Sequence, residues 1–220
     1  EAKVPIISLP GRVHREEASY QSGIRRLWAQ SLLNQSKRTI QPDRLSKDIE
    51  TMFPEVASAQ IELPLLGRVP NVVLTPSIPV LVLVSQKGAF YVASSGKTMA
   101  RSDALTGNQL GILPTVRDDS SILPEPGKSA LPIQQIQTIV SLIKLCQAAH
   151  LDIETISLPP LPNEVDLTVK GTTYQVKISL DQDPGQGIGA LLALRDKFTA
   201  DGTQPNSYLD LRVPDKAFYK

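Results

Sequence analysis

Along the chain the spacing of apolar residues changes character several times, and each change marks an element. Val4 to Ser8 reads as a short strand closed by Leu9-Pro10-Gly11. From about Arg15 the period turns helical: Tyr20, Ile24, Leu27, Trp28 and Leu32 share one side, with Arg25, Arg26, Gln30 and Gln35 elsewhere. Gly23 weakens this helix by about 1 kcal/mol relative to alanine without ending it. Trp28, the only tryptophan, is expected in the core. A second helix has sharper limits. Pro42 suits a first helical position, Leu45, Ile49, Met52 and Phe53 recur on one side, and Pro54 enforces the stop.

Beyond Pro54 the period becomes alternating. Ala57, Ala59, Ile61 and Leu63 interleave with Ser58, Gln60 and Glu62, as in a strand with one face on a core and one in water. Val72 to Thr75 and Val80 to Ser85 supply more strand. Residues 4 to 85 thus read strand, helix, helix, strand, strand. That order predicts a small sheet with two helices on one face, in a first domain spanning 1–86.

The remainder, 87–220, predicts an antiparallel β domain with flanking helices, so the fold class is α+β. Lys87-Gly88 and Ser95-Gly96 bracket a strand from Ala89 to Ala93, and Thr98 to Ala100 returns. From Arg101 to Leu131 the chain is rich in Pro, Gly, Ser and Asp, with Leu110 to Leu113 its longest apolar stretch; it reads as irregular connection with short edge strands. Pro132 opens a third helix with Ile133, Ile136, Val140 and Ile143 on one face, and Cys146 follows on that face as a small buried hydrophobe. His150, at its end, is read as a surface residue complementing the helix dipole. Ile153 to Leu158 then precedes two cleanly alternating strands, Val165, Leu167, Val169 and Tyr174, Val176, Ile178, Leu180, an antiparallel meander with one solvated face. A last helix runs from about Ile188 to Thr199.

The closing stretch, Ser207 to Lys220, has a pattern of its own. Tyr208, Leu209, Leu211 and Val213 form a strand with Asp210 and Arg212 interleaved; Pro214 and Asp215 turn the chain, Lys216 follows, and Ala217, Phe218 and Tyr219 make a second short run. If this stretch lies at the margin of a sheet, its unpaired backbone groups are an open template for a partner's strand.

Composition narrows the function classes. Twenty-three Lys and Arg against 22 Asp and Glu leave a net charge of +1, so no global field draws the chain to nucleic acid or anionic lipid. A single cysteine excludes an internal disulfide and any cysteine-cluster metal site, and two histidines, His14 and His150, leave little for zinc. The apolar run from Val72 to Val84 is broken by Pro76 and Pro79 and is too short to span a membrane. A start at Glu1 is what a piece trimmed after a signal or membrane anchor would look like.

Motifs that resemble chemistry carry little weight. Gly185, Gly187 and Gly189 follow a strand and open a helix but lack the G-x-G-x-x-G spacing of a dinucleotide loop. Gly96-Lys97-Thr98 has Tyr91 where a phosphate loop needs its first glycine. Asp118-Asp119 and Asp181/Asp183 lack a calcium-loop spacing, and no G-x-S-x-G elbow is present. No enzyme site and no cofactor are expected.

Three passages carry a resemblance to the extracytoplasmic part of the bacterial division proteins FtsQ and DivIB. Phe53-Pro54-Glu55-Val56-Ala57-Ser58-Ala59 is similar to that family's helix end leading into a strand. Ile78-Pro79-Val80, Gly88-Ala89-Phe90-Tyr91-Val92 and Ser95-Gly96-Lys97 are similar to its strand, aromatic hairpin and turn. Ser207-Tyr208-Leu209-Asp210-Leu211-Arg212 is similar to its terminal Asp-Leu-Arg strand, the most specific of the three. The resemblance implies a POTRA domain followed by the family's β domain, in a single-pass protein of the cytoplasmic membrane at the division septum. It implies a non-catalytic scaffold whose terminal strands bind FtsB/DivIC-like and FtsL-like proteins. The expected partner surface is Tyr208 to Val213 and Asp215 to Tyr219, with Arg212 and Lys216 facing an acidic segment and Phe218 or Tyr219 as aromatic anchor. Two other classes remain: a POTRA-bearing secretion or outer-membrane assembly factor, and a nucleotide-binding enzyme using Gly185 to Gly189.

Overall fold

A computed structural model describes residues 5–8, 14–31, 39–64, 69–105, 113–120 and 122–220. Its elements in order are β1 (Ile6–Ser8), α1 (Glu17–Ala29), α2 (Pro42–Met52), β2 (Val56–Glu62), β3 (Asn71–Pro76), β4 (Pro79–Ser85), β5 (Gly88–Ala93), β6 (Thr98–Arg101), β7 (Thr115–Asp118), α3 (Ile133–Ala148), β8 (Ile153–Leu158), β9 (Glu164–Val169), β10 (Gln175–Ser179), α4 (Pro184–Asp201), β11 (Tyr208–Asp210) and β12 (Phe218–Tyr219). The fold is α+β. Val4, Leu9-Pro10-Gly11, Leu32, Gln35 and 110–112, which the sequence reading used, lie outside the described residues.

The first sheet has the order β1-β3-β2, with β1 parallel and β2 antiparallel to β3. Tyr20, Ile24 and Trp28 of α1 and Leu45 and Ile49 of α2 bury against Val56, Ala59, Val72 and Leu74. The approach of α1 to Phe53 explains Gly23. A Cβ at that position would lie 2.4 Å from the Phe53 ring, so glycine's propensity penalty is offset by close packing.

The second sheet has nine strands in the order β12-β11-β10-β9-β8-β7-β4-β5-β6. It corrects four expectations. The strand from Val80 to Ser85 does not complete the small sheet; as β4 it pairs with β5 and β7 in the large one. The sheet is mixed rather than antiparallel, because β7 runs parallel to both β4 and β8, and β11 runs parallel to β10. The connection from Arg101 to Leu131 contains β7, which sits in the interior of the sheet and not at its edge. Finally, the polar side of β9 is not solvated: Glu164 and Asp166 are buried.

The core of this sheet lies under α3 and α4. Ile136, Ile139, Leu142, Ile143 and Cys146 of α3 and Ile188, Leu191 and Phe198 of α4 meet Leu81, Leu83, Val116, Leu167, Val176 and Leu209. Ile133, expected on the core side of α3, is instead exposed, because the buried stripe of the helix runs through Ile136, Ile139, Leu142, Ile143 and Cys146 and Ile133 lies off its flank. On the opposite face of β5 and β6, Tyr91, Ala93, Met99 and Ala100 form a second, smaller apolar layer with Leu105. His150 follows α3 in a left-handed conformation, φ 54°, and is exposed.

Candidate functional site

The C-terminal margin is built in two steps. After α4 the chain turns at Gly202, φ 62°, and returns beside β10, where Tyr208, Leu209 and Asp210 pair with Gln175, Val176 and Lys177. Leu209 and Leu211 point into the core, 0% and 5% exposed. The Leu211 N–H continues the ladder by donating to the Lys177 carbonyl at 2.9 Å. The strand is shorter than its alternation suggests: it ends at Asp210, and Val213 is exposed. Val213 to Lys216 form a turn around Asp215, φ 60°, closed by the Lys216 N–H to the Val213 carbonyl.

The chain then comes back as β12, the outermost strand. Leu209 stands opposite Tyr219 and Asp210 opposite Phe218. The Lys220 N–H donates to the Tyr208 carbonyl at 3.2 Å, and the Lys220 carbonyl accepts from Asn206 and Ser207, each at 2.8 Å. Backbone groups alternate in direction along a strand, so the N–H and C=O of Tyr219 face away from β11, toward the open side. Phe218 and Tyr219 are 52% and 56% exposed. The Tyr219 ring meets the Phe198 ring of α4 edge-on, with centroids 5.2 Å apart. Beside this strand lies a groove between α4 and the turn, lined by Gly187, Gly189, Ala190 and Ala193 on one side and by Leu211, Val213 and Ala217 on the other.

Electrostatically the margin rests on a network that the sequence reading missed. Arg212 pairs with Glu164 through Nη1 and with Asp210 through Nη2 to Oδ2 at 2.5 Å and Nε to Oδ1 at 2.9 Å. Lys177 Nζ reaches Glu164 Oε1 at 3.0 Å and Asp166 Oδ2 at 3.4 Å. The hydrogen bonds from Arg212 hold the Asp210 carboxyl below the ordinary range, and the same bonds raise Arg212. Burial pulls the Lys177 ammonium down but is outweighed by the bond to Glu164 and the charges of Asp166 and Glu164, so its pKa rises. Burial raises Asp166, only partly offset by Lys177, and its Oδ1 is buried without a hydrogen-bond partner. The available signal was acidic residues on one strand facing a lysine on the next, a pattern read as a solvated face.

The expected partner residues therefore divide. Val213, Asp215, Lys216, Phe218 and Tyr219 are exposed along the turn and outer strand, Tyr208, Asp210 and Ala217 are half-buried, and Leu209 and Leu211 are internal. The Arg212 guanidinium is engaged by two carboxylates of its own chain.

The other candidates do not converge. Gly185, Gly187 and Gly189 lie within α4 rather than in a loop before it. Gly96 sits at φ 83° in the β5–β6 turn, and Lys97 bridges to Ser129. Asp118 accepts from the Ser120 N–H and hydroxyl, while Asp119 pairs with Arg117. Burial lifts the Cys146 thiol to about 11, away from thiolate chemistry. His14 is buried, its Nε2 2.7 Å from the Ser77 carbonyl oxygen, whereas His150 is exposed after α3. Among the described residues no group of three His, Cys, Asp or Glu is placed to hold a metal ion, and no helix is long and apolar enough to cross a membrane. No family model matches the chain, and no curated protein matches it.

Proposed function

We propose that this chain is a non-catalytic, extracytoplasmic scaffold of the FtsQ/DivIB type, in which the small unit is POTRA-like and the large sheet is the partner-binding β domain. In this reading β12 accepts an extended segment of an FtsB/DivIC-like protein, itself associated with an FtsL-like protein, and so recruits them to the septum. The observation that carries it is the outermost strand, whose Tyr219 N–H and C=O face outward between two half-exposed aromatic rings. The adjoining groove, with glycine and alanine of α4 on one side and Leu211, Val213 and Ala217 on the other, gives a partner side chain a place to bury. The resemblance of Ser207 to Arg212 to the family's Asp-Leu-Arg strand supplies the identity of the partner class.

The test is calorimetric titration with the periplasmic segment of an FtsB-like protein from the same genome. Wild type is compared with a truncation after Arg212 and with Tyr219→Pro. Proline removes an N–H that faces outward and is tolerated on an edge strand, so the second variant keeps the fold while blocking strand addition. Saturable binding by wild type, weakened by several kcal/mol in both variants, is expected. No binding by folded wild type, or unchanged binding by folded variants, would overturn the proposal.

A further inference from the structure

The polar side of β9, β10 and β11 carries a row of alternating charge. Asp166 stands opposite Lys177, and Lys177 stands opposite Asp210. One step further along the strands, Glu164 stands opposite Ser179. The parallel register of β11 brings Arg212 to the far side of that serine. Ser179 is small, so the guanidinium crosses over β10 and pairs with Glu164 while still holding Asp210.

These rows discriminate between alignments of β11. The strand has three residues and joins the sheet only after the whole of α4, so its few ladder bonds fix it weakly. A slip of one residue would turn Leu209 and Leu211 out of the core. A slip of two keeps both leucines inward, and here the charges decide. In one direction Arg212 comes opposite Lys177. In the other, Asp210 moves onto the row of Glu164, carboxylate toward carboxylate. Like charges directly opposite are unfavourable, and a buried carboxylate deprived of its cation is more so.

We propose that Glu164, Lys177 and Arg212 are positioning residues for the C-terminal margin: they select the register in which β11 joins the sheet and thereby fix where β12 lies. The consequence for partner binding rests on the scaffold reading above; the register itself does not.

The test exchanges the charge of β11 with the one just beyond it in the full chain, Asp210→Arg with Arg212→Asp, leaving net charge unchanged. The readouts are amide hydrogen exchange and backbone contacts between β10 and β11 by NMR. The Leu211 N–H, which donates to Lys177, is expected to lose protection at least tenfold and Leu209 to leave its place opposite Val176, while Leu167 and Ile156 keep their protection. The milder Glu164→Gln is expected to give about a threefold loss confined to the same margin. Unchanged contacts and protection at Leu211, or an equal loss at Leu167 and Ile156, would overturn the proposal. A shifted register with unimpaired binding of the FtsB-like segment would count against the scaffold reading and leave the register assignment standing.

Discussion

At the β6 margin of the large sheet the chain closes its own edge, whereas at the β12 margin it leaves the edge exposed. Thr98 of β6 gives its N–H to the Lys128 carbonyl and takes the Gly127 N–H on its own carbonyl, both at 2.8 Å, and Ala130 donates to Gly96 at 2.9 Å. Thr98 is 0% exposed beneath this cover, and Met99 and Ala100 are buried in the layer with Tyr91 and Leu105. The two residues of β12 are more than half exposed, and no described segment lies along their outer side. One fold thus contains both solutions to the problem of unpaired strand groups. Covering an edge with a loop makes it inert, and keeping an edge very short limits unwanted pairing while leaving it able to accept a strand.

Breaking the covered edge should have the largest effect. Gly96 combines φ 83° with a position where a Cβ would lie 2.4 Å from the Leu131 carbonyl oxygen. Gly96→Val is therefore expected to cost about 3 kcal/mol in urea unfolding, through backbone strain together with displacement of the covering segment. A cost under about 1 kcal/mol would mean that the cover is not held tightly. At the open edge the expected penalty is smaller. Tyr219→Ala removes one edge-on contact with Phe198 and is expected to cost about 1 kcal/mol in the same measurement. A loss as large as that of the glycine variant would erase the distinction between the two margins.

Acid should separate the margins by exchange alone. Asp210 titrates below its ordinary range in the folded chain, so its stabilising contribution is present above the unfolded carboxylate pKa of about 4 and is lost as pH falls through the lower folded value. Asp166 has the opposite sign: its raised pKa means that its charged form opposes folding, and acid relieves that cost. Asp210 holds Arg212, which pairs across the sheet with Glu164 of β9, so β11 is tied down through that guanidinium. On lowering the pH from about 5 to about 3, the Lys220 amide is expected to lose protection, after correction for intrinsic rates, before the Thr98 amide does. Equal loss at both would contradict the local assignment.

Elements with a long or strongly alternating pattern were legible in the sequence. Pro42, Leu45, Ile49 and Pro54 bound α2 on sequence grounds alone, and Val165, Leu167 and Val169 mark β9. What escaped was set by distant partners. β7 has one buried apolar residue, Val116, among Thr115, Arg117 and Asp118, and only its place between β4 and β8 makes it a strand. The face of α3 is chosen by the sheet beneath it, which excludes Ile133 and takes Ile139 and Leu142. The terminal stretch was legible as two short runs, but not the burial of Leu209 and Leu211, nor the capture of Arg212 by Glu164, 48 residues away.

The position of β7 also bears on how the sheet is assembled. On one side, β4, β5 and β6 are antiparallel neighbours in sequence; on the other, β8, β9 and β10 are the same. Each triplet closes through short turns, at low cost in loop entropy. Among the described residues the backbone ladder joining them runs through 114–119, parallel on both sides and reached across long intervals of chain. Continuity of hydrogen bonding across the sheet is therefore concentrated in the six residues 114–119, a keystone set between two halves built from local pairings.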